Sequence, residues 1–399
     1  MNINQKQKNM IKSNQLLKCH CFAYAQKCGI KTMRAWQLLQ YGSPENLKFN
    51  EDGKIPILKD TMDVLVKVHA ASINPLDVRM TEGYGRNAFN FVRQVNQCSL
   101  TPQNEFPLIL GRDFSGTIAY VGKNVKKFKC GDEVWGATSP WENGSHADYL
   151  LAHSCKISKK PESLNHLEAA SFPYAALTAW AAIRCFAGLS EKNSYGKRIL
   201  ITGASGGVGT FAVQLLKAWG ADVSVTCRAD AVELMQNLGA DAILDYTSQD
   251  FKSTLSDLKG LDVIIDNIGG DYPALTIELL KKMQSSKYVT VVSPLLKNTD
   301  EQGVLLGTAS SAVQATLDTV MSLKDGRSFR WAYFMPNMCA LKSIARMIDE
   351  KQIVPVIEKT FKFEEIQDAY KKVSDGHARG KVVVNFEMSS SSNTSHNHK

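Results

Sequence analysis

Residues Lys197 to Gly220 read KRILITGASGGVGTFAVQLLKAWG. The run Ile199-Leu200-Ile201-Thr202 is short, apolar and β-branched, which predicts a buried strand. Seven residues follow, Gly203-Ala204-Ser205-Gly206-Gly207-Val208-Gly209, rich in the one residue type that tolerates tight turns. Val208, Ala212, Leu215, Leu216 and Trp219 then recur at helical spacing. Strand, glycine turn and helix in direct succession lift such a motif above chance. The first N–H groups of a helix have no partner within it and attract anions. The stretch therefore predicts a dinucleotide site. Aligned as Ala204-x-Gly206-x-x-Gly209, the turn has alanine at the first glycine position. Gly206 lets the backbone approach a pyrophosphate, and Gly209 lets helix and strand pack closely.

Downstream, strands alternate with helices. Strands are expected at Asp222–Cys227, Ala242–Tyr246, Val263–Asp266 and Tyr288–Val292, with helices at 231–238, near 250–258, at 272–283 and at 311–324. This alternation predicts an α/β, right-handed, doubly wound parallel sheet of Rossmann type. An Ala-rich helical region, His166–Ala187, precedes it and breaks at Pro173. The front of the chain is mostly β. Val64 to Val68 alternate apolar and polar residues, and glycine turns separate the segments around Gly111–Ile118 and Val121–Trp135. Residues 81–105 read as a polar loop over a cleft. After 340 a helix (341–350), a strand (353–357), a helix (364–373) and a last strand, Lys381–Phe386, are expected.

In this architecture cofactor choice is read at the end of the second strand, where a carboxylate accepts hydrogen bonds from a ribose 2′-hydroxyl. Here Cys227-Arg228 stands there, and a guanidinium pairs with a 2′-phosphate. That favours NADPH over NADH; the competing reading makes Arg228 a solvated surface residue and gives Asp230 the acidic role. Tyr246 ends the third strand, where its ring serves either the adenine end of the cofactor or the core. Asp266-Asn267-Ile268-Gly269-Gly270 closes the fourth strand on the ligand side of the sheet. Gly376-His377-Ala378-Arg379-Gly380-Lys381 is a basic loop before the last strand, either wrapping over the cofactor or standing in solvent.

The chain has 399 residues and a formal net charge of +8. Six of those charges are the lysines of residues 1–32, a segment without Asp or Glu, which leaves +2 for the rest. A nearly neutral body gives no reason to expect nucleic acid as a partner. The leader reads as a mitochondrial targeting segment or as a basic tail, since arginine is absent until Arg34. No run reaches the roughly 18 apolar residues of a transmembrane helix. Of nine cysteines, Cys19, Cys21 and Cys28 lie in the leader. The other six are scattered without metal-ligand spacing, which suits a reducing compartment, cytoplasm or mitochondrial matrix. Residues 388–399, rich in Ser, Asn and His, read as a disordered tail.

Taken together, VKVHAASINPLDVR, LGRDFSGTIAYVG, FKCGDEVWG, FPYAALTAW, ITGASGGVGTFAVQ, LGADAILDY, IIDNIGG and GHARGKVVV resemble the zinc-lacking quinone oxidoreductases of the medium-chain dehydrogenase/reductase superfamily. The likeness covers roughly residues 33–387. PWENGSHADYL, SFRWAYFM and GHARGK carry a closer likeness to a mitochondrial, reticulon-interacting branch that uses NADPH. The resemblance implies a GroES-like β-rich domain over 33–165 and 341–387, with a Rossmann domain, 166–340, inserted in it. It implies matrix localisation after a 1–32 targeting segment, a part in ubiquinone biosynthesis, and reticulon-type or ubiquinone-biosynthesis protein partners. It points to Ser205, Gly207, Val208, Arg228, Tyr246, Asn267, Val291, Tyr333, His377, Ala378 and Arg379 as NADPH contacts, beside the Gly206 of the turn. Arg228 departs from the small polar residue common in relatives.

Zinc-dependent relatives place Cys, His and Glu where this chain has Asn74-Pro75-Leu76-Asp77 and Gly111-Arg112-Asp113. Catalytic zinc needs about three N, S or O ligands and an open position, so no metal is expected. A carbonyl reduced without a metal needs hydrogen-bond donors at its developing oxyanion; the candidates are the Asn74 amide and the Tyr84 hydroxyl, each also readable as a turn or packing residue. Two functions remain at this point: hydride transfer from NADPH to a quinone or activated enone, or an NADPH-binding, redox-sensing partner protein with little turnover.

Overall fold

The computed structural model describes residues 32–98 and 105–387. The basic leader up to Lys31 with its three cysteines, and the tail from 388, lie outside the described residues. The first strands, β1 (Thr32–Leu38) and β2 (Leu47–Lys54), pair antiparallel. β3 (Asp63–Ile73), expected to alternate, instead buries Val64, Leu65, Val66 and Val68 and exposes only Lys67 of that run, and it ends where Pro75 opens α1 (Pro75–Thr81), a position that costs proline nothing because the first helical N–H is unpaired anyway.

The expected loop over 81–105 contains a helix instead, α2 (Arg86–Gln97). Its sequence is dominated by Asn, Gln and Arg and buries only Phe89, so the apolar periodicity that announces a helix is faint. Its start is stabilised from elsewhere in the chain: the Asp300 carboxylate accepts hydrogen bonds from the Gly85 and Asn87 N–H groups.

β4 (Asp113–Val121), β5 (Glu133–Ala137), β6 (Tyr149–His153) and β7 (Ile157–Lys159) complete the front of the chain. Two short helices follow, α3 (His166–Ala170) and α4 (Pro173–Trp180), divided at the expected proline. The opening motif then gives β8 (Arg198–Thr202) and α5 (Gly207–Ala218). Next come β9 (Asp222–Cys227), α6 (Val232–Asn237), β10 (Ala242–Asp245), α7 (Phe251–Asp257) and β11 (Val263–Asp266). The expected helix 272–283 stops early as α8 (Tyr272–Thr276), before β12 (Ser286–Thr290).

The helix expected at 311–324 is longer and has a companion. α9 (Leu295–Gln302) and α10 (Val304–Leu323) form a hairpin around Gly303. Gly307 makes the crossing close, since a Cβ there would stand 2.4 Å from the Asn298 carbonyl oxygen. That glycine and the serines beside it weaken the helical signal of 304–311. A strand that the sequence pattern did not announce follows, β13 (Arg327–Trp331). Its inward positions include Arg327, which is buried against Glu278. The chain then runs through α11 (Met338–Asp349), β14 (Ile357–Lys362), α12 (Ile366–Ser374) and β15 (Lys381–Asn385). The strand expected at 353–357 thus begins where that segment ends; Pro355 has no N–H for a ladder.

β8 to β13 form a six-stranded, wholly parallel sheet in the order β10-β9-β8-β11-β12-β13. By chain rank this is 3-2-1-4-5-6, the Rossmann order. Alternate residues of β8 face opposite layers. Ile199 and Ile201 pack with Phe211, Leu215 and Leu216 of α5, whereas Leu200 joins Leu255, Ile264 and Tyr288. Each such fully buried Leu or Ile contributes about 1.5–3 kcal/mol. The other large sheet is mixed, β14-β15-β3-β4-β5-β7 with β6 also on β3. β14 and β15 thus return the chain to the sheet that β3 to β7 built.

Candidate functional site

Strand order reverses between β8 and β11, and ligands bind outside the carboxyl ends of strands at such a point. Asp266, buried at the end of β11, ties the two strands together. It accepts from the Thr202 hydroxyl at 2.6 Å and from the Ile268 and Gly269 N–H groups. Above it lies the glycine turn. Gly203 takes a positive φ of 61°. Gly209 fits against the turn so closely that a Cβ would sit 2.5 Å from the Ala204 backbone. At Gly206 a Cβ would meet nothing nearer than 3.9 Å. Backbone is therefore bare there, just ahead of α5, whose first N–H groups no side chain caps. This is the fit a pyrophosphate requires.

Asn267 donates to the Thr202 carbonyl at 2.9 Å, while its own Oδ1 is buried without a hydrogen-bond partner in the protein. A buried orphan acceptor is costly, and a cofactor donor would satisfy it. Val291 follows β12 with its N–H on the Asp266 carbonyl and its side chain on the main core. Tyr333 is 40% exposed, and the burial of the rest raises its phenol above the usual range, against the Ser293 hydroxyl bonded to it.

The loop His377-Ala378-Arg379 crosses the turn. Gly380 N–H donates to the Ser205 carbonyl at 2.8 Å, and Gly206 and Gly380 bridge. Arg379 Nη1 reaches the Asp230 carbonyl at 3.3 Å, and Arg228 Nε stands 3.7 Å from the Asp230 carboxylate. Two guanidinium groups thus converge on the segment after β9. Tyr246 is beside them: burial raises its phenol, and the Arg228 charge opposes the rise. Ser205, Gly206, Gly207, Val208, Arg228, Tyr246, Asn267, Val291 and the 377–379 loop are therefore brought to one end of the parallel sheet.

The structure places Asn74 one layer deeper. It is buried, and its amide donates to Asp113 at 2.8 Å and Asp77 at 3.3 Å while Oδ1 accepts from Lys381 Nζ at 2.5 Å. Lys381 also pairs with Asp113 at 3.1 Å. Asp77 pairs with Arg112 at 3.2 Å, both side chains fully buried. Two carboxylates and two cations balance, as buried charges must. The stem of Lys381 lies on the glycine turn, where a Cβ on Gly207 would be 2.7 Å from its Cδ. Lys381 therefore joins turn and cluster; in the sequence it shows only as the end of a basic loop and the first residue of a strand.

Tyr84 is partly buried, with the Arg79 guanidinium 5.3 Å from its ring centre. Burial is the main cause that raises its phenol, so it stays protonated through neutral pH. Between Tyr84 and the cluster is Tyr174, whose N–H donates to Asp113 and whose ring stacks on Phe334 at 4.3 Å. At positions 74–77 and 111–113 the side chains are an amide, a guanidinium and two paired carboxylates. Among the described residues, no group of three or more His, Cys, Asp or Glu is arranged to hold a metal ion.

Comparison with known proteins places this geometry. The model of the alcohol dehydrogenase GroES-like domain matches residues 60–162, and that of a zinc-binding dehydrogenase matches 238–384. Mouse mitochondrial NAD(P)H oxidoreductase RTN4IP1 is 47% identical over 88% of this chain and 89% of its own. Reticulon-4-interacting protein 1, mitochondrial, of Caenorhabditis elegans is 35% identical over 89% and 96%. Among solved structures, the quinone oxidoreductase from Coxiella burnetii superposes with a TM-score of 0.72 at 29% identity, covering 89% of this chain and 99% of that one.

Proposed function

The chain belongs to the mitochondrial NAD(P)H oxidoreductases of the medium-chain dehydrogenase/reductase superfamily, and on that premise we propose that it passes hydride from NADPH, without a metal, to a quinone or an activated enone. It is an NADPH-dependent oxidoreductase of the mitochondrion. The finer reading adds a matrix location and a part in ubiquinone biosynthesis.

The observation that carries the proposal is the bare backbone at Gly206 ahead of α5, with the orphan Asn267 acceptor beside it. NADPH, when bound, supplies the hydride. In this reading Ser205, Gly206, Gly207 and Val208 hold its pyrophosphate, and Arg228 and Arg379 pair with its 2′-phosphate. Asp230 is the other candidate for the ribose, but with Arg228 at 3.7 Å its charge is partly answered. Tyr246, Asn267, Val291, Tyr333, His377 and Ala378 line the remaining length.

On the acceptor side, both Asn74 amide hydrogens are directed to carboxylates, so Asn74 acts by holding the cluster in place. Tyr84 remains as the protonated hydroxyl available to a developing oxyanion. The donor set around Asn74 and Asp113 is charge-paired internally and offers no open ligand position, which supports metal-free transfer.

The name of the nematode relative favours a second reading, an NADPH-binding, redox-sensing partner of a reticulon-type protein with little turnover. Purified chain, NADPH and short-chain ubiquinone analogues separate the two. The first reading expects acceptor-dependent loss of absorbance at the NADPH band; tight NADPH binding without oxidation of any analogue would leave the second.

A further inference from the structure

A cavity of about 530 Å³ opens between β7 and α11 and shares no residue with those assigned to the cofactor. Its volume lies in the range of small-molecule sites. One wall follows from the period of α11. Leu341, Ile344, Met347 and Ile348 of that helix are buried in the main core. Lys342, Ala345, Arg346 and Asp349, spaced i, i+3, i+4 and i+7, form the adjoining stripe and line the cavity. The facing wall is Lys159 at the end of β7, with Lys127 and Phe128 from the segment ahead of β5.

Five cationic side chains border this cavity against three carboxylates. Lys160 is already engaged: its Nζ donates to the Pro161 and Leu164 carbonyls and stands 3.4 Å from Glu133. Asp349 is engaged as well, its Oδ1 accepting from the Ser163 N–H at 3.0 Å and hydroxyl at 2.8 Å. Glu350 is 3.9 Å from Arg346, an exposed pair one helical turn apart, and such pairs bind weakly. Glu162 is the one bordering carboxylate whose side chain has no partner among the described residues. Against it stand three unpartnered lysines, Lys127, Lys159 and Lys342. Like charges gathered around a concave wall focus their field on an anion.

We propose that this cavity is a second ligand site, for a nucleoside polyphosphate. The phosphates lie between Lys127 and Lys159 on one wall and Lys342 and Arg346 on the other. The guanidinium offers paired donors and the lysines act as point charges. The base covers the apolar floor made by Phe128 and Ala345. Inorganic phosphate alone would leave that floor and most of the volume unfilled.

The depth of the floor distinguishes this ligand from a lipid headgroup. Membrane-binding surfaces present apolar side chains beside their cations. Here Phe128 is 7% exposed, and the side chains that project around it are charged. A bound polyanion also bridges two parts of the fold, because β7 belongs to the mixed sheet and α11 follows the last strand of the parallel one.

Calorimetric titration of the full chain, its cofactor site filled beforehand with NADPH, tests this with ATP, pyrophosphate and inorganic phosphate as probes. One ATP per chain should bind with a Kd below about 1 mM, pyrophosphate more weakly and inorganic phosphate more weakly still, while the fluorescence of bound NADPH stays unchanged. The double variant Lys127→Glu/Lys342→Glu should lose at least about 10-fold in ATP affinity and bind NADPH as the parent does, which shows that it folds. Absence of ATP binding, displacement of NADPH by ATP, inorganic phosphate bound as tightly as ATP, or a double variant that binds ATP like the parent overturns the proposal. So does binding to phosphatidylcholine–cardiolipin vesicles that ATP does not displace and the double variant loses, an outcome that assigns the cations to a lipid headgroup.

Discussion

Arg228 and Arg379 approach Asp230 from distant points of the sequence, one just after β9 and the other in the loop before β15. A charge-assisted hydrogen bond contributes about 1.5–3 kcal/mol, so the cation after β9 should control the choice between the two nicotinamide cofactors. Arg228→Glu should weaken NADPH binding by about 10- to 100-fold and leave NADH binding within a few-fold. Fluorescence titration with both nucleotides measures the ratio, and an unchanged ratio would remove Arg228 from the phosphate site. Arg228 was legible as a candidate because a fixed interval separates it from the glycine turn. Its convergence with Arg379 was not, because it depends on how a loop 151 residues away in the chain is laid over the turn. Lys381 is a sharper instance: its partner Asn74 is 307 residues away, and no local pattern relates them.

Among the elements, α5 and α2 show what makes a helix readable. α5 buries eight of its twelve residues, and burial on that scale imprints its period on the sequence. α2 buries one, so the polar composition of 86–97 reads as a loop. Its N-terminus is held by Asp300, whose carboxylate also lies favourably at the positive end of the helix. Asn87 reinforces the link by donating to the Thr299 carbonyl at 3.0 Å. Asp300→Ala should cost about 0.5–2 kcal/mol, the range for loss of an N-terminal cap. Amide hydrogen exchange should quicken at residues 86–97 and stay unchanged in β8–β12; an unaltered exchange rate in α2 would show that the contact does not stabilise it. The reversed amphipathicity of α10 has the same lesson in another form. Its apolar period is strong at 313–323, but only the fold shows that this side faces outward.

For the molecule as a whole, His146 couples stability to pH. It is fully buried, with Nδ1 3.1 Å from the Tyr370 hydroxyl, and burial lowers its pKa to about 4 from 6.5. The unfolded chain therefore binds a proton near pH 6.5 that the folded chain refuses until about pH 4. Stability is complete above 6.5 and declines as pH falls through that window, by about 3 kcal/mol from this group. Urea midpoints at pH 7 and pH 4.5 should show the loss, and His146→Gln should flatten the slope; an equal slope in the variant would assign the acid sensitivity elsewhere.

By itself the sequence determined the parallel sheet and its nucleotide turn, because strand, glycine turn and helix are local, and their periods and sterics are written in adjacent residues. Tertiary structure alone decided which residues meet across hundreds of positions: Asn74 with Lys381, Asp300 with α2, Arg228 with Arg379. It also decided that α2 is a helix and that α10 turns its apolar side to solvent. Those outcomes come from the pairing of buried charges, the capping of helix ends and the closure of a sheet edge, which are satisfied only when distant segments are brought together.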